Sequence, residues 1–169
     1  QAMWDLSARK AGVPLWKHLG GASGDVSVYA SGLGPDRPVE QALVRRAQSY
    51  DGYKLKIGFS YETDHANISA LREALGPDAF IAVDANQGWD AETAARRVRE
   101  FAKFRLAWIE EPLAVDAPEG EWQLVAGLSA AKIAGGENMR GAAQFRAAIA
   151  SNAFGVIQPD IAKWGGFTG

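Results

Sequence analysis

Short apolar runs alternate with longer amphipathic stretches along this chain of 169 residues. The apolar runs predict six strands, at 26–31, 53–57, 80–83, 106–109, 132–134 and 154–158. Between them, stretches with apolar residues three or four positions apart predict five helices; one of these carries Ile68, Leu71 and Leu75 on a single face. A further helix and a loop are expected over residues 1–21, ahead of the first strand.

A regular strand–helix repeat predicts an α/β fold with a parallel sheet. An open sheet and a closed barrel both satisfy the repeat. No Gly-x-Gly-x-x-Gly turn follows the first strand, and polar residues follow several strands in succession, which favours a barrel in which every strand end faces one mouth. We predict one domain over residues 22–169, a partial TIM-type (β/α) barrel with about six of the usual eight strands.

Four carboxylates follow apolar runs at nearly even intervals: Asp84, Glu110, Glu137 and Asp160. In a barrel the first three would meet in one cavity, where uncompensated burial of charge is very costly. A divalent cation would remove that cost, and oxygen ligands without nearby Cys or His favour Mg²⁺, with Mn²⁺ as a second possibility. The alternative is that each acid is an exposed residue at a helix start.

Two lysines, Lys54 and Lys56, share one face of the second predicted strand because strand side chains alternate. Pointing together into a barrel, they would repel each other, and with partial desolvation this would lower an ammonium pKa so that one lysine can act as a base. An exposed edge strand with alternating charge is the alternative. Asp160, with no metal to hold, is an acid–base candidate, and Lys163 lies near it; a surface ion pair is the competing interpretation.

Asn86 and Asn138 follow two of the carboxylates and can bind substrate, orient a metal ligand, or shape a turn. The two histidines, His18 and His65, lie away from every predicted strand end, so we expect them to be structural or solvated.

Composition narrows the class of partner. A net charge of −2 offers no basic surface for nucleic acid or anionic lipid, so a small molecule is the expected partner. The chain has no cysteine, which excludes disulfides, thiolate catalysis and Cys-based zinc sites. Apolar runs are too short to span a membrane and no signal-peptide pattern begins the chain, so we expect a cytoplasmic protein.

Taken together, the motifs at the strand ends resemble those of the enolase superfamily, specifically its mandelate racemase branch. They are Lys54-Leu55-Lys56, Val83-Asp84-Ala85-Asn86-Gln87, Trp108-Ile109-Glu110-Glu111-Pro112, Gly136-Glu137-Asn138 and Pro159-Asp160-Ile161-Ala162-Lys163-Trp164-Gly165-Gly166. The resemblance implies that Asp84, Glu110 and Glu137 hold Mg²⁺, that Lys56 is a base, and that Lys54 tunes Lys56 and contacts the substrate carboxylate.

By the same resemblance, the substrate is a carboxylate that loses its α-proton to give an enediolate, most simply in the dehydration of an acid sugar. Racemisation, epimerisation or cycloisomerisation of a hydroxy acid are alternatives, and a non-catalytic interaction module is an alternative of another class. Asn86, Asn138 and Lys163 are the substrate-binding candidates. Asp160 would pair with a His on a seventh strand, which this chain does not reach, and the cap domain is absent. We therefore expect this segment alone to be inactive and the full-length protein to form a homo-oligomer.

Overall fold

The structure is a computed structural model that describes residues 1–168, so Gly169, the predicted end of the barrel domain, lies outside the described residues. The predicted α/β class is confirmed: within residues 1–168 a sheet of six parallel strands has the spatial order of the chain. The strands are β1 (Ala30–Leu33), β2 (Gly52–Lys56), β3 (Phe80–Asp84), β4 (Trp108–Glu110), β5 (Lys132–Gly135) and β6 (Val156–Ile157). Each neighbouring pair is joined by a helical connection, as expected for a partial barrel.

The helices are α1 (Ala2–Lys10), α2 (Leu15–His18), α3 (Pro38–Ala47), α4 (Tyr61–Leu75), α5 (Ala91–Glu100), α6 (Glu119–Leu128), α7 (Gly141–Ala150) and α8 (Ile161–Trp164), with a short 3₁₀ turn at Ala102–Phe104. Local sequence explains where two of them, α4 and α5, begin. Asp90 caps α5 by accepting a hydrogen bond from the backbone N–H of Thr93, and Ser60 caps α4 by accepting one from the backbone N–H of Thr63. None of the helices in residues 1–168 is long and apolar enough to cross a membrane.

The hydrophobic core lies between the sheet and the helices that cover it. Its fully buried residues include Leu55, Ile81 and Ile109 from the strands and Ile68 and Val98 from α4 and α5. These residues follow the predicted periods of two and of three to four, so the core places the apolar side of β2 outward against helices. The other side of β2, which carries the lysines, faces away from these helices, toward what would be the interior of the barrel.

Replacing Leu55 with Ala should lower the free energy of unfolding by about 2–5 kcal/mol, because removal of this fully buried side chain leaves a cavity in the core between the sheet and its helices. Urea denaturation of the full-length protein measures this change. Leu43→Ala, at a site on α3 that is 45% exposed, is the matched control, with an expected cost within about 0.5 kcal/mol. Equal losses for the two variants would contradict the assigned core.

Three predicted strands are wrong in extent, and one of them, the fourth, runs over Trp108–Glu110 instead of 106–109. The first begins at Ala30 instead of residue 26, and Val26 and Val28 are 79% and 59% exposed. A strand forms only where a neighbour supplies backbone hydrogen bonds, and β2 pairs with β1 only from Ala30 onward. For the same reason the sixth strand shrinks to Val156–Ile157, which pairs with the last two residues of β5.

Strand register brings functional candidates to one level of the sheet. Lys56 of β2 is opposite Asp84 of β3, and Asp84 is opposite Glu110 of β4. All three lie at the carboxyl ends of their strands, the edge where parallel α/β sheets carry their sites. Backbone register alone therefore places a lysine and two carboxylates side by side on three neighbouring strands.

Candidate functional site

Lys54, Lys56, Asp84 and Glu110 form one contiguous charged cluster at the carboxyl edge of the sheet. The Nζ atom of Lys54 lies 2.6 Å from Oε1 of Glu110 and 3.4 Å from Oδ2 of Asp84. Lys56 donates a hydrogen bond of 2.6 Å to the same oxygen of Asp84. Two lysines and two carboxylates thus balance each other's charge within hydrogen-bond distance, so the interpretation of β2 as an exposed strand with alternating charge is wrong.

Burial distinguishes the two lysines. The side chain of Lys54 is 9% exposed, whereas that of Lys56 is 34% exposed. Asp84 and Glu110 are both buried. Lys56 is therefore the lysine that is accessible from solvent, while Lys54 is buried and contacts both carboxylates.

The electrostatics of the cluster correct one prediction. Burial opposes the charged form of Lys54, but the hydrogen bond and negative charge of Glu110, with the charge of Asp84, outweigh it and raise the pKa of Lys54 above its ordinary value. The expected lowering of the pKa by lysine repulsion is therefore wrong for Lys54, because the sequence argument left out the adjacent carboxylates. Burial likewise works to raise the pKa of Asp84, yet its hydrogen bonds from Lys56 and the Asn86 N–H and the charges of both lysines lower it.

Glu110 is also held from its other side. Its Oε2 atom accepts hydrogen bonds from Nε1 of Trp108 at 3.2 Å and from Nε2 of Gln158 at 2.8 Å. Among the described residues, the Oε1 atom of Gln158 is buried and has no hydrogen-bond partner. Sequence reasoning assigned no role to Gln158; its position just after β6, at the same sheet edge, is the signal that points to it.

The donor set fits a hard divalent cation in its chemistry. Asp84 and Glu110 present convergent carboxylate oxygens, and the unsatisfied oxygen of Gln158 lies beside Glu110. Oxygen ligands of this kind suit Mg²⁺. In the described part of the chain, no three His, Cys, Asp or Glu side chains are grouped closely enough to hold a metal ion. Glu137 instead lies 3.8 Å from Nζ of Lys163.

Glu137, Asp160 and Lys163 form a second, more exposed cluster after β5 and β6. Nζ of Lys163 lies 3.8 Å from Oε1 of Glu137 and 4.0 Å from Oδ2 of Asp160, and all three side chains are between 35% and 44% exposed. Asp160 also caps α8 by accepting a hydrogen bond from the N–H of Ala162. The structure therefore brings Asp160 together with Lys163 and Glu137, at the same edge of the sheet.

Asn86 and Asn138 each contact a lysine. Oδ1 of Asn86 accepts a hydrogen bond of 2.7 Å from Lys56, and Oδ1 of Asn138 accepts one of 2.9 Å from Lys163. Asn86 has a φ of 48°, a left-handed conformation that Asn tolerates better than most residues. Both asparagines thus accept a hydrogen bond from a lysine, Lys56 at the end of β2 and Lys163 in α8.

Glu111 is a buried acid to which sequence reasoning gave no role. It accepts hydrogen bonds from the side-chain amides of Asn138 and Gln87, and its φ is 41°, unusual for a residue other than glycine. Burial raises the pKa of Glu111 above its ordinary value. The two hydrogen bonds act to lower this pKa, and the charges of Glu137 and Asp84 act to raise it. Two adjacent glutamates, Glu110 and Glu111, lie at the end of β4, and this pair is the sequence feature that could have indicated a role for Glu111.

The loop after β2 is held by Asp64 of α4. Its carboxylate accepts hydrogen bonds from the backbone N–H groups of Gly58 and Phe59, 2.9 and 3.4 Å away. Burial raises the pKa of Asp64, although both hydrogen bonds act to lower it.

The histidines lie apart from the site, as predicted: His18 contacts Ser7 and Trp4, and His65 packs among aromatic rings.

Comparison with known proteins gives a consistent result. The family model described as "Enolase C-terminal domain-like" matches residues 38–169. The L-talarate/galactarate dehydratase of Salmonella typhimurium is 40% identical over 99% of this chain and 43% of its own length.

Solved structures agree. A mandelate racemase/muconate lactonizing enzyme from Bordetella bronchiseptica superimposes with a TM-score of 0.92 and 45% identity, covering 98% of this chain and 46% of that one. A racemase from Streptomyces coelicolor with bound magnesium gives a TM-score of 0.91 and 36% identity over 99% of this chain and 48% of that one. The chain therefore spans somewhat less than half the length of these proteins.

Proposed function

Because the chain belongs to the enolase C-terminal domain-like family, we propose that the full-length protein removes the α-proton of a carboxylate substrate in a Mg²⁺-dependent reaction. The reaction passes through an enediolate, and the best-supported overall outcome is dehydration of an acid sugar. The observation that carries the proposal is the convergence of Lys54 and Lys56 on the buried pair Asp84 and Glu110. The similarity to the talarate/galactarate dehydratase supports the substrate class.

Asp84, Glu110 and Glu137 are the residues that would hold Mg²⁺, with Mn²⁺ as an alternative occupant. Glu137 would have to leave its contact with Lys163 to join the other two carboxylates, because the three are not grouped in the described residues. When bound, the cation would supply positive charge that stabilises the negative charge developing on the substrate carboxylate. The protein contributes preorganisation: Trp108 and Gln158 fix one oxygen of Glu110 and leave the other toward the cluster. Oriented ligands of this kind need no rearrangement when charge develops.

Lys56 is the proposed base. Its ammonium group is partly exposed at the mouth of the site, and Asp84 and Asn86 hold it in one position by hydrogen bonds. Lys54 is buried and hydrogen-bonded to Glu110, so we assign it the supporting role of placing positive charge near the substrate carboxylate. Asp160 is proposed as the acid–base group on the opposite side, with Lys163, Asn86 and Asn138 as substrate-binding residues.

Racemisation or epimerisation is the second candidate function, favoured by the similarity to the magnesium-containing racemase from Streptomyces coelicolor. Both reactions begin with loss of the α-proton and differ in whether a β-hydroxyl then leaves as water. A cytoplasmic location and assembly into a homo-oligomer are further proposals for the full-length protein. We also expect residues 1–169 alone to be inactive, because β1 and β6 are the two edges of the described sheet.

Incubation of the full-length protein with Mg²⁺ and a panel of aldonic and aldaric acids in D₂O tests the proposal, with products followed by proton NMR. We expect a keto acid to form and its formation to stop when EDTA removes the metal. Deuterium at the α-carbon with inversion and no loss of water would contradict dehydration and support a racemase. Absence of any exchange, together with no Mg²⁺ binding by calorimetry, would favour a non-catalytic module.

A further inference from the structure

A continuous chain of hydrogen bonds runs across the carboxyl edge of the sheet and centres on Glu111. Its Oε1 atom accepts from Nδ2 of Asn138 at 2.8 Å, and its Oε2 atom accepts from Nε2 of Gln87 at 3.3 Å. Oδ1 of Asn138 in turn accepts from Nζ of Lys163 at 2.9 Å. Residues that follow β3, β4, β5 and β6 are thereby connected through one buried carboxylate.

The chemistry of the three groups permits only one orientation of the central amide. An ionised carboxylate can only accept hydrogen bonds, and an ammonium group can only donate them. A side-chain amide does both: its NH₂ group donates and its oxygen accepts. The NH₂ group of Asn138 must therefore face Glu111, and its oxygen must face Lys163. The NH₂ group of Asn138 also donates to Oε1 of Glu137, but at 3.5 Å against 2.8 Å for Glu111, so Glu111 is the main determinant of the direction in which Asn138 holds the lysine.

The ammonium group of Lys163, which Asn138 holds, lies where it can contact a bound ligand. Its ammonium lies 3.8 Å from Glu137 and 4.0 Å from Asp160, in the exposed part of the site. A lysine side chain has many rotamers, and fixing one of them in advance reduces the entropy lost when a ligand binds. The hydrogen bond from Lys163 to Asn138 is the shortest contact of this ammonium among the three, so it is the one that fixes the position.

We propose that Glu111 is a positioning residue for substrate binding: through Asn138 it holds the Lys163 ammonium between Asp160 and Glu137, where it meets an anionic group of the substrate. The inference rests on the proposed function, because it assigns Lys163 to the carboxylate substrate of that reaction. Glu111 itself does not contact the substrate. Its effect passes entirely through the orientation of the Asn138 amide.

The first test is kinetic and uses the full-length protein with the acid that it turns over. In Glu111→Gln, residue 111 can donate as well as accept, so Asn138 is free to turn and Lys163 loses its fixed acceptor. We expect KM to rise about tenfold with kcat changed less than about threefold. If the two residues act in one pathway, Glu111→Gln should raise KM by less than about twofold further in a Lys163→Met background.

The second test needs no turnover. Acetylation of Lys163 by a small active ester, followed by peptide mass spectrometry, should be about three to ten times faster in Glu111→Gln than in the wild type, because the ammonium is no longer held. Acetylation of Lys10, exposed on α1, serves as the internal standard. Glu62→Gln, at an exposed position on α4, is the matched control and should change neither readout.

The outcomes separate the possible failures. If Glu111→Gln does not fold, Glu111→Asp replaces it, because the shorter carboxylate withdraws from Asn138, and the same changes in KM and acetylation are expected. Normal wild-type turnover with unchanged KM and unchanged acetylation in the variant overturns this inference alone. Additive effects of the two substitutions on KM also overturn it, since they show independent action. A wild type that turns over no acid overturns the proposed function and with it the substrate role of Lys163.

Discussion

Replacing Asp84 with Asn in the full-length protein should weaken Mg²⁺ binding by more than about 100-fold and should lower turnover to a comparable or greater degree. Asp84 is buried and contacts Lys54 and Lys56 at 3.4 and 2.6 Å, so it is both a proposed metal ligand and the anion between two ammonium groups. Asn keeps the shape of the side chain but removes its charge. The substitution therefore reports on charge at this position, with little change in packing.

Calorimetric titration with Mg²⁺ and steady-state kinetics measure the two effects of Asp84→Asn. Asp78→Asn is the matched control, because Asp78 is exposed just ahead of the same strand, at the opposite edge of the sheet. The control should retain wild-type affinity and turnover. Retention of Mg²⁺ affinity within about threefold in Asp84→Asn would exclude Asp84 as a ligand, since loss of even an outer-shell partner of a metal ligand usually costs more.

Replacing Lys56 with Met should lower kcat by about 10²–10⁴-fold, the usual contribution of a positioned general base, and should change Mg²⁺ affinity much less than Asp84→Asn does. Lys56 is the partly exposed member of the lysine pair, and its ammonium is held by Asp84 and Asn86. Removal of the base should also abolish exchange of the substrate α-proton with D₂O. The exchange measurement separates proton abstraction from later steps.

Lys56→Arg distinguishes the base from its charge. Arginine keeps the positive charge beside Asp84 but stays protonated in proteins, so it cannot accept the α-proton. We therefore expect Lys56→Arg to be as impaired in α-proton exchange as Lys56→Met. Recovery of exchange in the Arg variant would mean that Lys56 contributes charge alone, and the base would then have to be another group, with Asp160 the first candidate.

Several features of the site follow from local sequence. Side chains alternate along a strand whatever its neighbours are, so the shared face of Lys54 and Lys56 was predictable. The carboxyl ends of parallel strands meet at one edge, so the approximate gathering of Asp84 and Glu110 was predictable too. The motif resemblance to the enolase superfamily added proposed roles for these residues, and the family assignment is confirmed.

Other features depend on contacts between residues far apart in the chain. The pKa of Lys54 is raised against the effect of burial because Glu110, fifty-six positions away, accepts its hydrogen bond and adds negative charge, as does Asp84. The start of β1 depends on where β2 offers partners, so the apolar residues Val26 and Val28 did not extend the strand. The alternation of apolar and polar residues along one strand does not specify the register in which that strand pairs with its neighbour, nor which side chain then lies beside each residue.

By itself, the sequence determined the strand–helix order, the inward face of β2 and the edge of the sheet that carries the acids, because each of these depends on local backbone periodicity and chain direction. Only the tertiary structure decided that Lys54 joins Asp84 to Glu110 and that Glu137 contacts Lys163. It also decided that Glu111 connects Gln87 with Asn138. Such contacts depend on strand register and on side-chain direction at left-handed residues, which are set by packing between elements distant in sequence.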